Sequence, residues 1–340
     1  LLGACGGSAK PQTEAPASQG TAAGGSTEAE APSGDKIVMK ISHVSSPGSA
    51  RDLGCQKLAE VVEEMTGGRV EAQIYPSSQL GGQRDQVEGA QFGTIECVVV
   101  PTSYLGGTCP MMTLLDTPYL LPDDPEQLYE LYQSDAIKSL RDTTTEKGIL
   151  TMAIWQTGYK VWSANKPLLD PADMKGLKVR VMNSPILFKQ AEVLGATGIT
   201  MDFGETYGAL QNKALDGQEN PIAVFDSSKF AEVQQYVTLW DGVRDTTIWV
   251  MSQRTMEKLS PEDQALVKEC ATEALDWGNE YLAQNEEAII QKLRDGGTTI
   301  TALTDEQKAE FQKACAGIYD DYAQSVGQDV IDLFTGGYKE

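Results

Sequence analysis

From residue 37 onward, short runs of β-branched and apolar residues alternate with segments that carry a helical stripe, and this alternation constrains the fold most. Residues 37–43 set Ile37, Met39 and Ile41 against Val38, Lys40 and Ser42, the period of a strand. Leu58, Val61, Val62 and Met65 then recur at helical spacing over 53–65, and Gly67-Gly68 suits the left-handed backbone that ends a helix. The pattern continues with a strand at 70–75, a loop at 76–82, a helix at 83–92, a strand at 94–100, a helical stretch at 125–147 and a strand at 149–155. It resumes with a strand at 177–182, a helix at 184–194, a strand at 200–203, a helix at 207–215 and strands at 237–240 and 246–251. Two long helical stretches follow. Ser260 caps the first, 261–293, with Pro261 in its first turn. Thr304 and Gln307 form a capping box for the second, 304–334. There is no internal repeat, and the class is α/β.

At 340 residues and 41% hydrophobic, the chain can bury the cores of two domains. A net charge of −22 argues against a phosphate-backbone binder, so no nucleic-acid partner is expected, although a local basic pocket for an anion fits in an acidic protein. His43 is the single histidine, which excludes two-His zinc sites and any mechanism needing two histidines. No CxxC, GxSxG, GxGxxG or GxxxxGK[ST] string occurs, and no metal or cofactor is expected. No apolar run approaches the roughly 18 residues of a membrane span.

Leu2-Gly3-Ala4-Cys5 resembles the end of a bacterial lipoprotein signal peptide, in which cleavage precedes a cysteine that then carries lipid. Residues 6–34 contain no aromatic residue and no Val, Ile, Leu or Met, so they cannot bury enough apolar area to offset chain entropy. The expectation is a residual signal end and lipobox over 1–5 and a disordered tether over 6–35, holding the protein to a membrane through lipid on Cys5. Of the other cysteines, Cys55, Cys97, Cys109, Cys270 and Cys315, an odd number leaves a thiol free. An exported protein can pair the rest, but spacing does not assign disulfides, and the apolar settings of Cys55 and Cys97 suit buried thiols.

Several strings in the globular part occur together: Tyr75-Pro76-Ser77-Ser78-Gln79-Leu80-Gly81, Lys175-Gly176-Leu177-Lys178-Val179-Arg180-Val181, Phe203-Gly204-Glu205-Thr206-Tyr207 and Leu215-Asp216-Gly217-Gln218-Glu219-Asn220-Pro221. With Gly158-x-Lys160-x₄-Asn165-x-Pro167 and Leu115-Asp116-Thr117-Pro118-Tyr119, their order and spacing resemble the solute receptors of tripartite ATP-independent periplasmic (TRAP) transporters, from about residue 36 to the C-terminus. The resemblance implies a two-lobed periplasmic-binding-protein-like clamp, with mixed sheets flanked by helices and a long helix spanning both lobes. The lobes expected are 36–155 plus 246–285 and 156–245 plus 286–340. It implies an extracytoplasmic receptor, not an enzyme, that captures an organic acid and delivers it to the membrane subunits of a permease without ATP or a cofactor. Arg180 matches the arginine that pairs the ligand carboxylate, Asn220 an asparagine that binds the same region, and Phe203 an aromatic wall. Lys160 falls where many members carry a second arginine, and Gln83 where sialic-acid receptors carry a glutamate. His43 falls at a polar position after the first strand. Lys160 in place of Arg loses a planar fork, and Gln83 in place of Glu removes an acceptor charge. Both argue against sialic acid.

The residues also admit plainer readings. Period-two alternation puts Arg180 and Lys178 on one face, either as solvated charges or with Arg180 as a fork for a carboxylate. Asn220 precedes Pro221, which biases it to extended geometry, and Gly217 permits a tight turn before it. A turn-stabilising Asn220, a core Phe203, a hydrogen-bonded structural His43 and a surface Lys160 are the alternatives. Trp155 and Trp249 suit a buried core. The ligand classes open are sugar acids, C4-dicarboxylates and aromatic or branched oxo- and hydroxy-acids, with a monocarboxylate sugar acid the first expectation. An exported two-carboxylate hydrolase and a ligand-sensing lobe for signalling are the competing functions.

Overall fold

Val70 and the other apolar residues of the early segments build parallel strands in the computed structural model, which describes residues 36–327 and Phe334. In chain order these are β1 (Ile37–Ser42), α1 (Ala50–Met65), β2 (Val70–Tyr75), α2 (Gln83–Phe92) and β3 (Cys97–Pro101). The 3-10 turns Thr102–Leu105 and Pro110–Asp116 lead to α3 (Pro125–Gln133), α4 (Asp135–Thr145) and β4 (Ile149–Ala164). Next come β5 (Lys178–Arg180), α5 (Pro185–Val193), β6 (Thr197–Ile199), α6 (Thr206–Gln211), β7 (Gly217–Pro221), α7 (Ile222–Ser227), β8 (Tyr236–Leu239) and β9 (Arg244–Ser252). The chain continues through α8 (Gln253–Met256), α9 (Pro261–Asp295), β10 (Thr299–Ala302), α10 (Asp305–Cys315) and α11 (Gly317–Val326). The lipobox and tether expected over 1–35 lie outside the described residues.

Strand order is β2-β1-β3-β9-β4-β7-β5-β6, with β8 pairing β4 and β10. Strand β4 joins two sheets. Its first part, Ile149 to Tyr159, runs antiparallel to β9, and Lys160 to Ala164 runs antiparallel to β7 and β8. The register shifts between Gln156 and Tyr159, where Gly158 takes a φ of +92° that a side chain would strain. Helix α9, 35 residues long, runs past both sheets. Val267, Cys270 and Ala274 pack with Met39, Val99, Trp155 and Trp249 under the first, and Ile290 and Leu293 with Val161, Phe225 and Val237 under the second. Gly54 of α1 and Gly278 of α9 leave room for the Trp155 indole: a Cβ at Gly278 would lie 2.7 Å from its Cζ2.

Several expected boundaries move, each for a local reason. The stretch 125–147 is two helices, because Ser134 closes α3 and caps α4. The strand expected at 149–155 continues to Ala164 through polar Gln156, Thr157 and Lys160, whose side chains are bonded inside the fold. The strand expected at 200–203 is instead Thr197–Ile199, where Gly198 admits Phe188 and Val181, and Phe203 starts a 3-10 turn. Gly217 makes no turn. It begins β7, and its missing side chain lets the Ser163 carbonyl approach. The last stretch splits into α10 and α11 at Ala316. Among the described residues all five cysteines are unpaired and buried, so no disulfide forms between them.

Candidate functional site

Arg180 ends β5, a short strand parallel to β6 and β7. Its neighbour Lys178 is exposed, but Arg180 is fully buried at 0% exposure, so the solvated-charge reading of that face fails at Arg180. Its Nη2 donates to the Tyr104 hydroxyl and, at 3.4 Å, to the Met201 carbonyl. The guanidinium carbon lies 6.0 Å from the Tyr104 ring centroid and 5.7 Å from that of Phe203, distances at which an aromatic face attracts a cation. No acid lies within ion-pair distance among the described residues, and Nε and Nη1 have no partner. A buried guanidinium with two unpaired nitrogens and no counter-charge is costly unless an anion meets it.

The register places Gln218 of β7 beside Arg180, and Asn220 two residues on along the same face. Asn220 Nδ2 donates to Gln218 Oε1 at 2.5 Å, and Gln218 Nε2 donates to Ser163 Oγ at 2.8 Å. Both residues are buried, and they set an amide row next to the arginine. Phe203 stays half-buried, packed edge-on to Phe230 at 6.1 Å. Tyr104 and Met201, the two partners of Arg180, line a cavity of about 590 Å³ together with Gln83, Asn183 and Asp202. Gln83 opens α2 and is buried in that wall. Arg180, Phe203, Asn220 and Gln83 thus belong to one region.

Lys160 is arranged differently. It is fully buried, and by register it shares the opposite face of β4 and β7 with Glu219. Its Nζ lies 3.7 Å from Asp116 Oδ1, 3.9 Å from Asp245 Oδ1 and 3.5 Å from Ser103 Oγ. Burial alone lowers its pKa, but Asp116, Glu219 and Asp245 together outweigh burial and the net shift is upward, so it stays charged. Burial raises the pKa of Asp116 and of Glu219, against the pull of Lys160 and the hydrogen bonds from Ser103 and from Gln190. Lys160 therefore meets its counter-charges inside the protein.

His43, just past β1, is buried with Nε2 3.1 Å from Asp52 Oδ1. Asp52 Oδ2 also accepts from Gly48 N at 2.8 Å and Gln56 Nε2 at 2.7 Å. Burial, then the nearby Arg51 charge, lowers the His43 pKa to about 4 against the pull of Asp52, so the ring is neutral at pH 7. Arg51 donates to Ser45 Oγ at 2.9 Å and Thr247 Oγ1 at 3.0 Å, and sits 3.6 Å from Asp245. His43 is thus paired with Asp52 within the electrostatic reach of Arg51, and among the described residues no hydrogen bond or ion pair ties it to Arg180. Sequence reasoning passed over Tyr104, Arg51, Gln218 and Asp245. For Tyr104 the signal was its place just beyond the C-terminal end of the Val98-Val99-Val100 strand, where open α/β sheets bind ligands. Among the described residues no group of three or more His, Cys, Asp or Glu could hold a metal ion.

A second cavity, about 480 Å³, lies beside the irregular segment of β4. Its cations are matched: Arg244 lies 3.7 Å from Asp123 and 4.3 Å over the Tyr159 ring, and Lys308 is 2.7 Å from Asp241. Arg180, bonded to two residues of the other cavity's wall, has no such acid partner among the described residues.

Residues 41–325 match the family described as bacterial extracellular solute-binding protein, family 7. The chain belongs to this family. It is 30% identical over 299 residues to the C4-dicarboxylate-binding periplasmic protein DctP of Rhodobacter capsulatus, covering 87% of this chain and 90% of that protein. It is 28% identical over 297 residues to the 2,3-diketo-L-gulonate-binding periplasmic protein YiaO of Escherichia coli, covering 87% and 86%. A TRAP periplasmic solute-binding protein from Desulfovibrio salexigens, solved with bound orotic acid, superposes with a TM-score of 0.85 at 34% identity, over 88% of this chain and 98% of that one. The family-7 chain is thus a TRAP-type solute-binding receptor that works outside the cytoplasm, not an enzyme, and its joined sheets form the two-lobed fold of that class. Among the described residues no helix is long and apolar enough to cross a membrane.

Proposed function

We propose that this receptor captures an organic acid between its two sheets, with the ligand carboxylate paired to Arg180, and hands it to TRAP permease subunits in the membrane. The observation that carries this reading is the fully buried Arg180 guanidinium, which meets no acid among the described residues and leaves Nε and Nη1 without a partner. Asn220 and Gln83 serve as polar contacts and Phe203 as an aromatic wall. Lys160 and His43 act from behind, holding the network that shapes the floor. The lobes are 36–155 plus 246–285 and 156–245 plus 286–340, hinged where β4 changes sheets, and lipid on Cys5 anchors the receptor. The change of pairing partner at Tyr159 and Lys160 supports that divide. Relatives named for a C4-dicarboxylate and for a diketo-gulonate support an acid as ligand, and a sugar acid is our first choice.

The test is a thermal-shift screen of protein that has been unfolded and refolded to strip any co-purified ligand. A ligand at 100 times its Kd stabilises the native state by about 2.7 kcal/mol, several degrees in Tm. Acids should shift the transition while their amides and alcohols do not. Equal shifts from acids and neutral analogues would reject the proposal.

A further inference from the structure

The arginines of the chain divide by their surroundings. Arg84, Arg254 and Arg294 are exposed. Arg51, Arg69 and Arg244 are wholly or partly buried, and each lies within ion-pair distance of a carboxylate. Arg180 and Arg141 leave solvent without meeting an acid among the described residues. Arg141, on α4, is half-buried, and its Nε is shielded with no hydrogen-bond partner. Burial alone lowers its pKa. A guanidinium so placed costs free energy unless an anion meets it.

Arg141 lines a third cavity, of about 500 Å³, a size that suits a small molecule. It shares no lining residue with the cavity walled by Tyr104 and Met201. Leu128 and Tyr132 of α3, Met152 and Ile154 of β4 and Leu275 of α9 give it apolar walls. Strand β4 is irregular there: its register shifts between Thr151 and Ala153, and Met152 between them pairs with no residue of β9. A bulge of this kind bends the strand and re-aims a side chain. Arg141 is the only basic group on the lining. The one acid, Asp276, is exposed on α9 and is not within ion-pair distance of it among the described residues. We infer that this cavity is a second ligand site, for a monoanion with an apolar body: a carboxylate carried on an aliphatic or aromatic group. The carboxylate meets Arg141, and the body lies against Tyr132, Met152 and Leu275. With one cation, an acid at the rim and a chain of net charge −22, a second anionic group is disfavoured.

The test is isothermal titration of refolded protein with octanoate and octanamide, made in an Arg180→Met chain so that the proposed first site takes no part. Octanoate should bind that chain, and octanamide should bind it at least about 10-fold more weakly. Adding Arg141→Gln should weaken octanoate by at least about 10-fold and bring it level with the amide. In the native chain, nuclear Overhauser contacts from the octanoate methylenes to Tyr132 and Leu275 should locate the site with no variant at all. Octanoate that binds the native chain but not Arg180→Met, or that ignores Arg141→Gln, overturns the inference and leaves the receptor reading standing. So does the absence of those contacts at millimolar octanoate, which decides the matter even if a variant fails to fold. Failure of the receptor reading shows separately, in the acid screen, and leaves this site unaffected.

Discussion

Replacing Arg180 with Met should separate binding from stability, in opposite directions. In this structure the guanidinium carries a full charge at 0% exposure with no acid among the described residues to offset it. An ion taken out of water costs several kcal/mol after relaxation. Against that cost stand the bonds to Tyr104 and Met201, worth about 1.5–3 kcal/mol each when the donor is charged, and two aromatic contacts at 5.7 and 6.0 Å worth roughly 0.5–1 kcal/mol each. The terms nearly cancel. Met fills much of the same volume without a charge, so the unliganded variant should melt within a few degrees of the native protein, or above it. Binding should behave otherwise. Truncating one partner of a buried, hydrogen-bonded charge pair costs about 2–5 kcal/mol, or roughly 30- to 4,000-fold in Kd. The assay pairs differential scanning calorimetry of ligand-free protein with titration of the best acid from the screen. A variant that melts ten degrees early yet binds normally would show that Arg180 is a structural residue, and the site argument would fail.

Further tests follow from the surrounding contacts. Lys160→Met should destabilise the fold by about 3–5 kcal/mol, seen as a lower denaturant midpoint, because Asp116, Glu219 and Asp245 lose their shared counter-ion. His43 is buried neutral with its pKa lowered to about 4, so its contribution is complete above the unfolded value near 6.5 and is lost as pH falls toward 4. Urea unfolding should show about 2 kcal/mol lost between pH 7 and pH 5, and that slope should shrink in His43→Asn. Buried Asp116 and Glu219, whose pKa values are raised, act oppositely and stabilise the fold as they protonate, so the difference between the two proteins is the quantity to read. Gly278→Ala should cost about 1–3 kcal/mol by thermal melting, despite the better helix propensity of Ala, because the new Cβ would press on Trp155 at 2.7 Å.

What could be read from the sequence follows physical range. Strands with period-two alternation, such as Val70–Tyr75, and helices with capping residues, such as α9 behind Ser260, were legible because their signals are local. The second half of β4 was not, since its polar residues point inward to partners far along the chain. The same distance hid the charge network. Arg51 reaches Thr247 across 196 residues, and no local pattern shows that Lys160 would face three carboxylates. Arg180 shares one face of its strand with Lys178 in the sequence pattern, and only the fold shows that it is buried without an acid among the described residues while Lys178 stays in solvent. Gly217 reads as a turn signal because a glycine needed for close approach looks the same in sequence as one needed for a positive φ.

The position of Tyr104 ties ligand capture to closure. Tyr104 follows β3 of the first sheet, and its hydroxyl takes a hydrogen bond from Arg180 on β5 of the second. One guanidinium therefore joins both sheets through Nη2 while Nε and Nη1 have no partner. On the proposed reading, a carboxylate paired to Arg180 neutralises the charge that makes its burial expensive, and burial is complete only when Tyr104 covers it. The closed state then binds the acid more tightly than the open one, which is the condition any ligand must meet to shift the population. A neutral analogue that fills the cavity leaves the charge unmet and gives closure no such bias. Tyr104→Phe keeps the ring over Arg180 and removes the hydroxyl, so it should weaken binding through closure alone, raising the dissociation rate more than it slows association.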